Sequence, residues 1–283
     1  MKTNREPVSM REVAAEAGVS VASVSYVLNG RHNQVGAKTL EKILLVTRRL
    51  NYQPNLLMRA VRTRRSQVIG VLIPSFRTTF FPTVADAIES ELAAHGYHAV
   101  ICQTHSQTEC MERNLVMLRQ RRVDGLIVTP KFDQANLFAE LVERGSKVVL
   151  IDHSFPEIPI ASVRSDDEAG AGMAVRHLLE LGHRRIGVLR HQAGQFPEML
   201  PERYRGYVKA LAEAGIAIDQ NLVETVETGF TAEDGENAFK RLYARCPDLT
   251  ALFVPSDLAA LGVMRAAREL GLRIPEDLSL AGY

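Results

Sequence analysis

From Val68 onward the sequence alternates short apolar runs with longer stretches of helical periodicity, and few folds accommodate that rhythm. The runs are VIGVLIP, HAVICQ, GLIVTP, KVVLID, RIGVL and ALFVP. Helical spacing fills the intervals at about 82–95, 107–121, 134–145, 167–182, 203–215, 232–245 and 257–271. Strands alternating with helices of this length build βαβ units, in which helices cover both faces of a parallel sheet. Roughly 200 residues of such alternation suit two doubly wound lobes better than one. The first is expected at 67–164 and the second at 165–283, entered through the helix that SDDEAGAGMAV opens. No apolar run approaches the ~18 residues of a membrane span. The opening MKTNREPVSMREV lacks the apolar core of a secretory signal. Cys102, Cys110 and Cys246 are scattered. They offer neither a disulfide framework nor paired metal-ligand spacing, so buried free thiols in a reducing cytoplasm are expected.

The residues before Val68 are of another kind. The whole chain has a net charge of +1, yet residues 1–66 hold 12 Lys and Arg against 4 Glu, a net +8, leaving −7 for the rest. A basic head on a mildly acidic body points to a polyanionic partner for the head alone; a solvated basic face is the bland alternative. Ser9 and Glu12 have the spacing of a capping box, so a helix is expected over 10–17, stopping at Gly18. Ser20 can cap a second helix, 21–28, which Asn29 and Gly30 close. A third, about 37–51 with its N-cap near Gly36, carries Leu40, Ile43, Leu44, Thr47 and Leu50 at helical spacing. Val13, Ala14, Val19, Val24, Leu28, Ile43 and Leu50 would share one small core. Two helices around a tight Gly turn form a helix-turn-helix, whose second helix enters the major groove of DNA. The small residues of GVSVASVSYVLNG would allow that close approach, with Ser20, Ser23 and Ser25 donating to phosphates. A plain three-helix bundle shares the pattern but gives no reason for the charge.

MREVAAEAGVSVASVSYVLNG, followed by TLEKILLVTRRLNYQPN, resembles the head of the LacI-type (lactose repressor) family. The resemblance implies a homodimeric regulator that reads a palindromic double-stranded operator and answers to a small effector, with residues 1–53 as the DNA-binding domain. Its base-reading positions fall on Val21, Ala22 and Tyr26. Val and Ala can touch a thymine methyl, and Tyr26 can stack or donate. Asn29 and Asn55 complete the set expected at the DNA. Residues 54–66 match the family's hinge, a short helix formed on DNA whose apolar wedge enters the minor groove. That wedge position holds Val61 where the family usually has Leu, and Met58 stands where Ala is usual; Arg59 would hold phosphate. A merely flexible basic linker is the alternative.

The resemblance extends to the body through RRVDGLIV and ELGHRRIGVL, implying a fold like that of periplasmic sugar-binding proteins, with a ligand cleft between lobes. Ligands of open α/β sheets sit beyond the carboxyl ends of the strands. The loops there hold Phe80, Phe81, Asp152, Arg203, Phe230 and Asp257. A forked Arg donor, a carboxylate acceptor and aromatic faces suit a sugar or related polyol. Equally, Asp257 could cap its helix, Phe81 could be core and Asp152 could orient a loop. The loop RHQAGQFPEMLPE departs from the family's shorter, Gly-rich one.

Enzyme signals are weak. GAGMAV lacks the third small residue of a dinucleotide fingerprint. His177 and His183, six apart, present no shared ligand face and read as solvated side chains at a helix end. Neither a nucleophile elbow nor a phosphate-binding P-loop occurs, and no cofactor is expected. A cytoplasmic regulator is therefore expected over a secreted binding protein or an enzyme. The chain stops at Tyr283, just after an apolar strand start, whereas family members continue, so a C-terminally truncated second lobe is also expected.

Overall fold

A computed structural model describes residues 8–53, 65–77, 79–130, 134–191, 202–226 and 231–283. The head contains α1 (Met10–Ala17), α2 (Val21–Leu28) and α3 (Ala37–Arg49). Local chemistry sets these boundaries. The Ser9 hydroxyl accepts from the Glu12 N–H, and the Glu12 carboxylate accepts from the Ser9 N–H at 2.6 Å, which holds the Glu12 carboxyl below its ordinary pKa. Gly18 ends α1 with φ 60°, a conformation costly for residues with a Cβ. The Ser20 hydroxyl accepts from the Ser23 N–H at 3.1 Å and starts α2.

Val13, Ala14, Ala17, Val24, Val27, Ile43, Val46 and Tyr52 form the buried centre of the head, with Val19, Leu28, Leu40 and Leu50 packed around it. Two expectations shift here. Val46, not Leu44, completes the buried stripe of α3, and Leu44 and Leu45 are exposed. Tyr52 closes the core from beyond the last turn.

The body holds two parallel sheets. In the first, β1 (Val68–Ile73), β2 (His98–Gln103), β3 (Gly125–Val128), β4 (Val148–Ile151) and β5 (Ala161–Val163) lie in the order β2-β1-β3-β4-β5. In register, Ile69 meets Gly125 on one side of β1 and Ala99 on the other. The second contains β6 (Ile186–His191), β7 (Val223–Val226), β8 (Ala251–Phe253) and β9 (Ser279–Ala281), in the order β7-β6-β8-β9. In both sheets the chain reverses direction of progress beside the first strand, between β1 and β3 and between β6 and β8. Crevices for ligands open at such points.

Side chains alternate across each sheet, so each has two apolar faces. Leu72, Leu126, Val128 and Leu150 pack under α5 (Thr108–Gln120) and α6 (Ala135–Glu143), while Val71 and Ile73 pack against α4 (Phe80–Ala94). In the second sheet Ile186, Val188 and Phe253 face α7 (Asp167–Glu180) and α8 (Glu202–Glu213). Leu189 and Leu252 face α9 (Ala232–Arg245) and α10 (Asp257–Glu269).

The apolar runs did not announce β5, β7 or the full β9. Every residue of β5 is exposed. The VETV of β7 carries buried Glu224, whose carboxylate accepts from Arg241 and Arg245 at 3.0 Å each. His183, read as solvated, instead bridges Thr250 and Ser279 through its two ring nitrogens at 3.0 and 2.9 Å. The GAGMAV stretch lies inside α7 rather than in a loop. Cys110 and Cys246 are buried, and Cys102 is half-buried with its thiol pKa raised by desolvation. Among the described residues no helix is long and apolar enough to cross a membrane.

Candidate DNA interface and effector cleft

The outward face of α2 is built by subtraction. Val24 and Val27 are claimed by the core, which leaves Val21, Ala22 and Tyr26 exposed. Ala22 and Tyr26 stand four residues apart and share one helix face. The serines are less free than expected. Ser20 Oγ and Ser23 Oγ lie 2.9 Å apart, so in this arrangement one hydroxyl hydrogen is spent between them and at most one can point outward. Asn29 Nδ2 donates to the Ser25 carbonyl at 2.6 Å and to Ser25 Oγ at 3.2 Å, which ties Asn29 back onto the end of α2. Asn55, Arg59 and Val61 lie outside the described residues.

Where the chain enters the body, Asp124 accepts from the Ser66 and Gln67 N–H groups at 2.8 and 2.9 Å. The aspartate of RRVDGLIV thus fixes the start of β1 to the start of β3.

Arg203, at the start of α8, is the centre of the second candidate site. Its Nε donates to Asp167 Oδ2 at 2.9 Å and its Nη1 to the Pro255 carbonyl at 2.6 Å. The Tyr283 ring lies against the guanidinium, 4.4 Å from Cζ to the ring centroid, and the Tyr283 hydroxyl donates to Asp167 Oδ1 at 3.0 Å. Asp257 belongs to the same assembly. Its backbone N–H donates to the Tyr283 backbone oxygen at 3.2 Å, and its carboxylate packs on Gly282. Ser256, not Asp257, caps α10 by accepting from the Ala259 N–H, so the Asp257 carboxylate is left for other work.

Asp152 follows β4 with φ 62° and reaches the same electrostatic neighbourhood from the first sheet. Desolvation by the surrounding protein, then the like charges of Asp167 and Glu202, push its pKa up to about 6 against the pull of Arg203. Beside it, His153 meets the Phe155 ring edge-on at 4.8 Å, and burial lowers its pKa.

Phe80 and Phe81 stand beyond the carboxyl end of β1, their rings 5.1 Å apart in a T. Phe81 packs into the core beside Val71 and Ile73, and Phe80 is the exposed ring. Phe230 lies outside the described residues.

Sequence reasoning missed Asp167 and Tyr283. Asp167 read only as part of a helix start, although the cap itself is Asp166, which accepts from the Ala169 N–H. It also missed Thr129. This side chain lines a cavity of ≈50 Å³ at the carboxyl ends of β1, β2 and β3, with Pro74, Thr104, Gln107 and Gln134. Its hydroxyl is buried without a hydrogen-bond partner among the described residues. A larger cavity of ≈480 Å³ lies between α7 and α8. Its walls are charges that neutralise one another, such as Arg176 with Glu213 and Arg205 with Glu168.

Residues 66–283 match the family described as periplasmic binding proteins and sugar binding domain of LacI family, and residues 9–55 match bacterial regulatory proteins, lacI family. The ribose operon repressor of Halalkalibacterium halodurans is 35% identical over 97% of this chain and 80% of its own length. The repressor PurR of Haemophilus influenzae is 32% identical, also over 97% and 80%. Among solved structures, the Lac repressor dimer bound to operator and the anti-inducer ONPF is similar with a TM-score of 0.85 and 31% identity, covering 98% of this chain and 82% of that one. A CelR–cellobiose complex is similar at TM-score 0.67 and 29% identity, over 98% and 82%. The chain belongs to the LacI family: it is a DNA-binding transcriptional regulator, not an enzyme, with a helix-turn-helix head on a body of the periplasmic sugar-binding type.

Proposed function

We propose that the protein is a cytoplasmic repressor that binds a palindromic operator as a homodimer and is controlled by a small polyhydroxyl effector held between two lobes. In this reading residues 1–53 bind DNA, 54–66 form the hinge, and 67–164 and 165–283 are the lobes. Val21, Ala22 and Tyr26 read bases. Ser20, Ser23, Ser25, Asn29, Asn55 and Arg59 position the head, and Val61 is the minor-groove wedge. Arg203 and Asp257 are the polar anchors of the effector. Asp152, Phe80 and Phe230 complete the cleft, with Phe81 backing the Phe80 ring from the core.

The observation that carries the effector assignment is the convergence of Arg203, Asp257 and the Tyr283 ring at the carboxyl end of β8, beside the point where the strand order reverses. An arginine fork, a carboxylate free of capping duty and an aromatic face are the groups that grip a polyol. A similar solved structure holds cellobiose, a polyhydroxyl compound, and one relative represses a ribose operon.

The test is a thermal-shift screen of sugars and sugar alcohols against the full chain, followed by operator release assays with the hit. Arg203→Ala or Asp257→Ala should abolish the effector response and leave operator affinity near normal. Each leaves a polar partner unpaired, at a cost of roughly 1–3 kcal/mol. An unaltered effector titration in both variants overturns the assignment.

A further inference from the structure

We propose that Asp167, held by Tyr283, takes Arg203 out of anion recognition and so restricts the cleft to effectors that carry no negative charge, either neutral or amine-bearing polyhydroxyl compounds. The proposal rests on the effector reading above and adds to it the charge class of the ligand and the residue that sets it.

A guanidinium recognises a carboxylate or phosphate through paired parallel N–H donors and a net positive charge. In Arg203 both are weakened. Of its five N–H groups, the one on Nε goes to Asp167 at 2.9 Å and one on Nη1 to the Pro255 carbonyl at 2.6 Å. Its positive charge is cancelled at contact distance by the Asp167 carboxylate, whose side chain keeps only 17% of its surface exposed. That carboxylate cannot swing away freely, because its second oxygen accepts from the Tyr283 hydroxyl at 3.0 Å. The Tyr283 ring then covers the guanidinium.

Two further arginines close to Arg203 along the chain or beside α8 are already paired with carboxylates. Arg164 is paired with Glu202 at 2.7 Å, and Arg205 with Glu168 at 3.0 Å. Asp152 adds another carboxylate from the first sheet, near enough to Asp167 and Glu202 to feel their charge. An incoming phosphate would have to displace Asp167 from Arg203 and then share the recess with the displaced carboxylate. A hydroxyl-rich neutral ligand needs neither step, since the remaining N–H groups of Arg203 can donate while Asp167 stays in place. A protonated amine would be favoured further by Asp152.

Asp167 is on this account a positioning residue with a specificity role, and the test uses inorganic phosphate as the probe, so it needs no knowledge of the effector. Orthophosphate is titrated into the full-length protein and followed by ³¹P line broadening and calorimetry. The wild type should show no phosphate binding that depends on Arg203. Asp167→Asn should gain affinity for phosphate by about tenfold or more, the scale expected when a contact charge is removed. The double variant Asp167→Asn/Arg203→Ala should lose that gain, and Asp167→Glu should restore exclusion. Tyr283→Phe, which keeps the ring and drops the tether, should move in the same direction by less and serves if Asp167→Asn folds poorly. Arg203-dependent phosphate binding by the wild type overturns the proposal. So does the absence of any gain in both single variants, or a gain that survives loss of Arg203. Failure here leaves the effector reading standing, since that is decided separately by the effector response of Arg203→Ala.

Discussion

Asp152→Asn should stabilise the protein at neutral pH and lose the benefit in acid. The Asp152 pKa lies at about 6 in the fold against 3.8 ordinarily. A gap of roughly two units corresponds to about 3 kcal/mol, at about 1.36 kcal/mol per unit. Part of the residue still faces water, which screens the interaction, so about 1 kcal/mol is the expected effect. The sign follows from proton binding: the folded carboxyl holds its proton more tightly than the unfolded one, so folding penalises the ionised form. The penalty is complete above about pH 7, shrinks as pH falls from 6 towards 3.8, and vanishes below that window. Asparagine keeps the shape and carries no such penalty at any pH. For about 200 residues of body, 1 kcal/mol moves the melting temperature by about 2–4 °C. Scanning calorimetry of both proteins from pH 4.5 to 8 should show that gain at pH 7.5, reduced to about a third at pH 4.5. Parallel melting curves across the range, or a less stable variant at pH 7.5, would refute the electrostatic account of Asp152.

Gly262→Ala should cost roughly 3 kcal/mol, the upper end of ordinary overpacking, because a Cβ there lands on the Ala232 carbonyl and forces α9 and α10 apart; denaturant melts that match the wild type would contradict it. Tyr26→Ala should relax operator selectivity more than overall affinity, whereas Arg59→Ala should weaken all DNA alike and reduce the salt slope of binding by about one. Competition binding with operator and random duplex at several salt concentrations separates the two, and uniform losses in both variants would remove the division of roles.

The elements that were legible in the sequence are those whose causes lie within a few residues of each other. Ser9 with Glu12, Ser20 with Ser23 and Gly18 in the left-handed region each fix a helix end by a bond or a dihedral spanning at most one turn. The runs of β1, β3, β4, β6 and β8 advertise strands because sheets covered on both faces demand near-continuous apolar residues. Edge strand β5 is exposed and β7 is secured by Arg241 and Arg245 reaching over from α9, so neither needed an apolar run. On α3 both Leu44 and Val46 fit a helical stripe, and only the packing of α1 and α2 decides that Val46 turns inward.

The candidate cleft divides in the same way. Arg203 and Asp257 could be chosen because they follow strand ends, and the αβ alternation already says where ligands gather. What Arg203 does there depends on Asp167, 36 residues away, and Asp167 depends on Tyr283, 116 residues away. No periodicity records those separations. The sequence determined that Arg203 and Asp257 stand beyond strand ends; the tertiary structure brought Asp167 and Tyr283 to Arg203 and decided which charges cancel there, because electrostatic pairing acts through space and depends on distance rather than order along the chain.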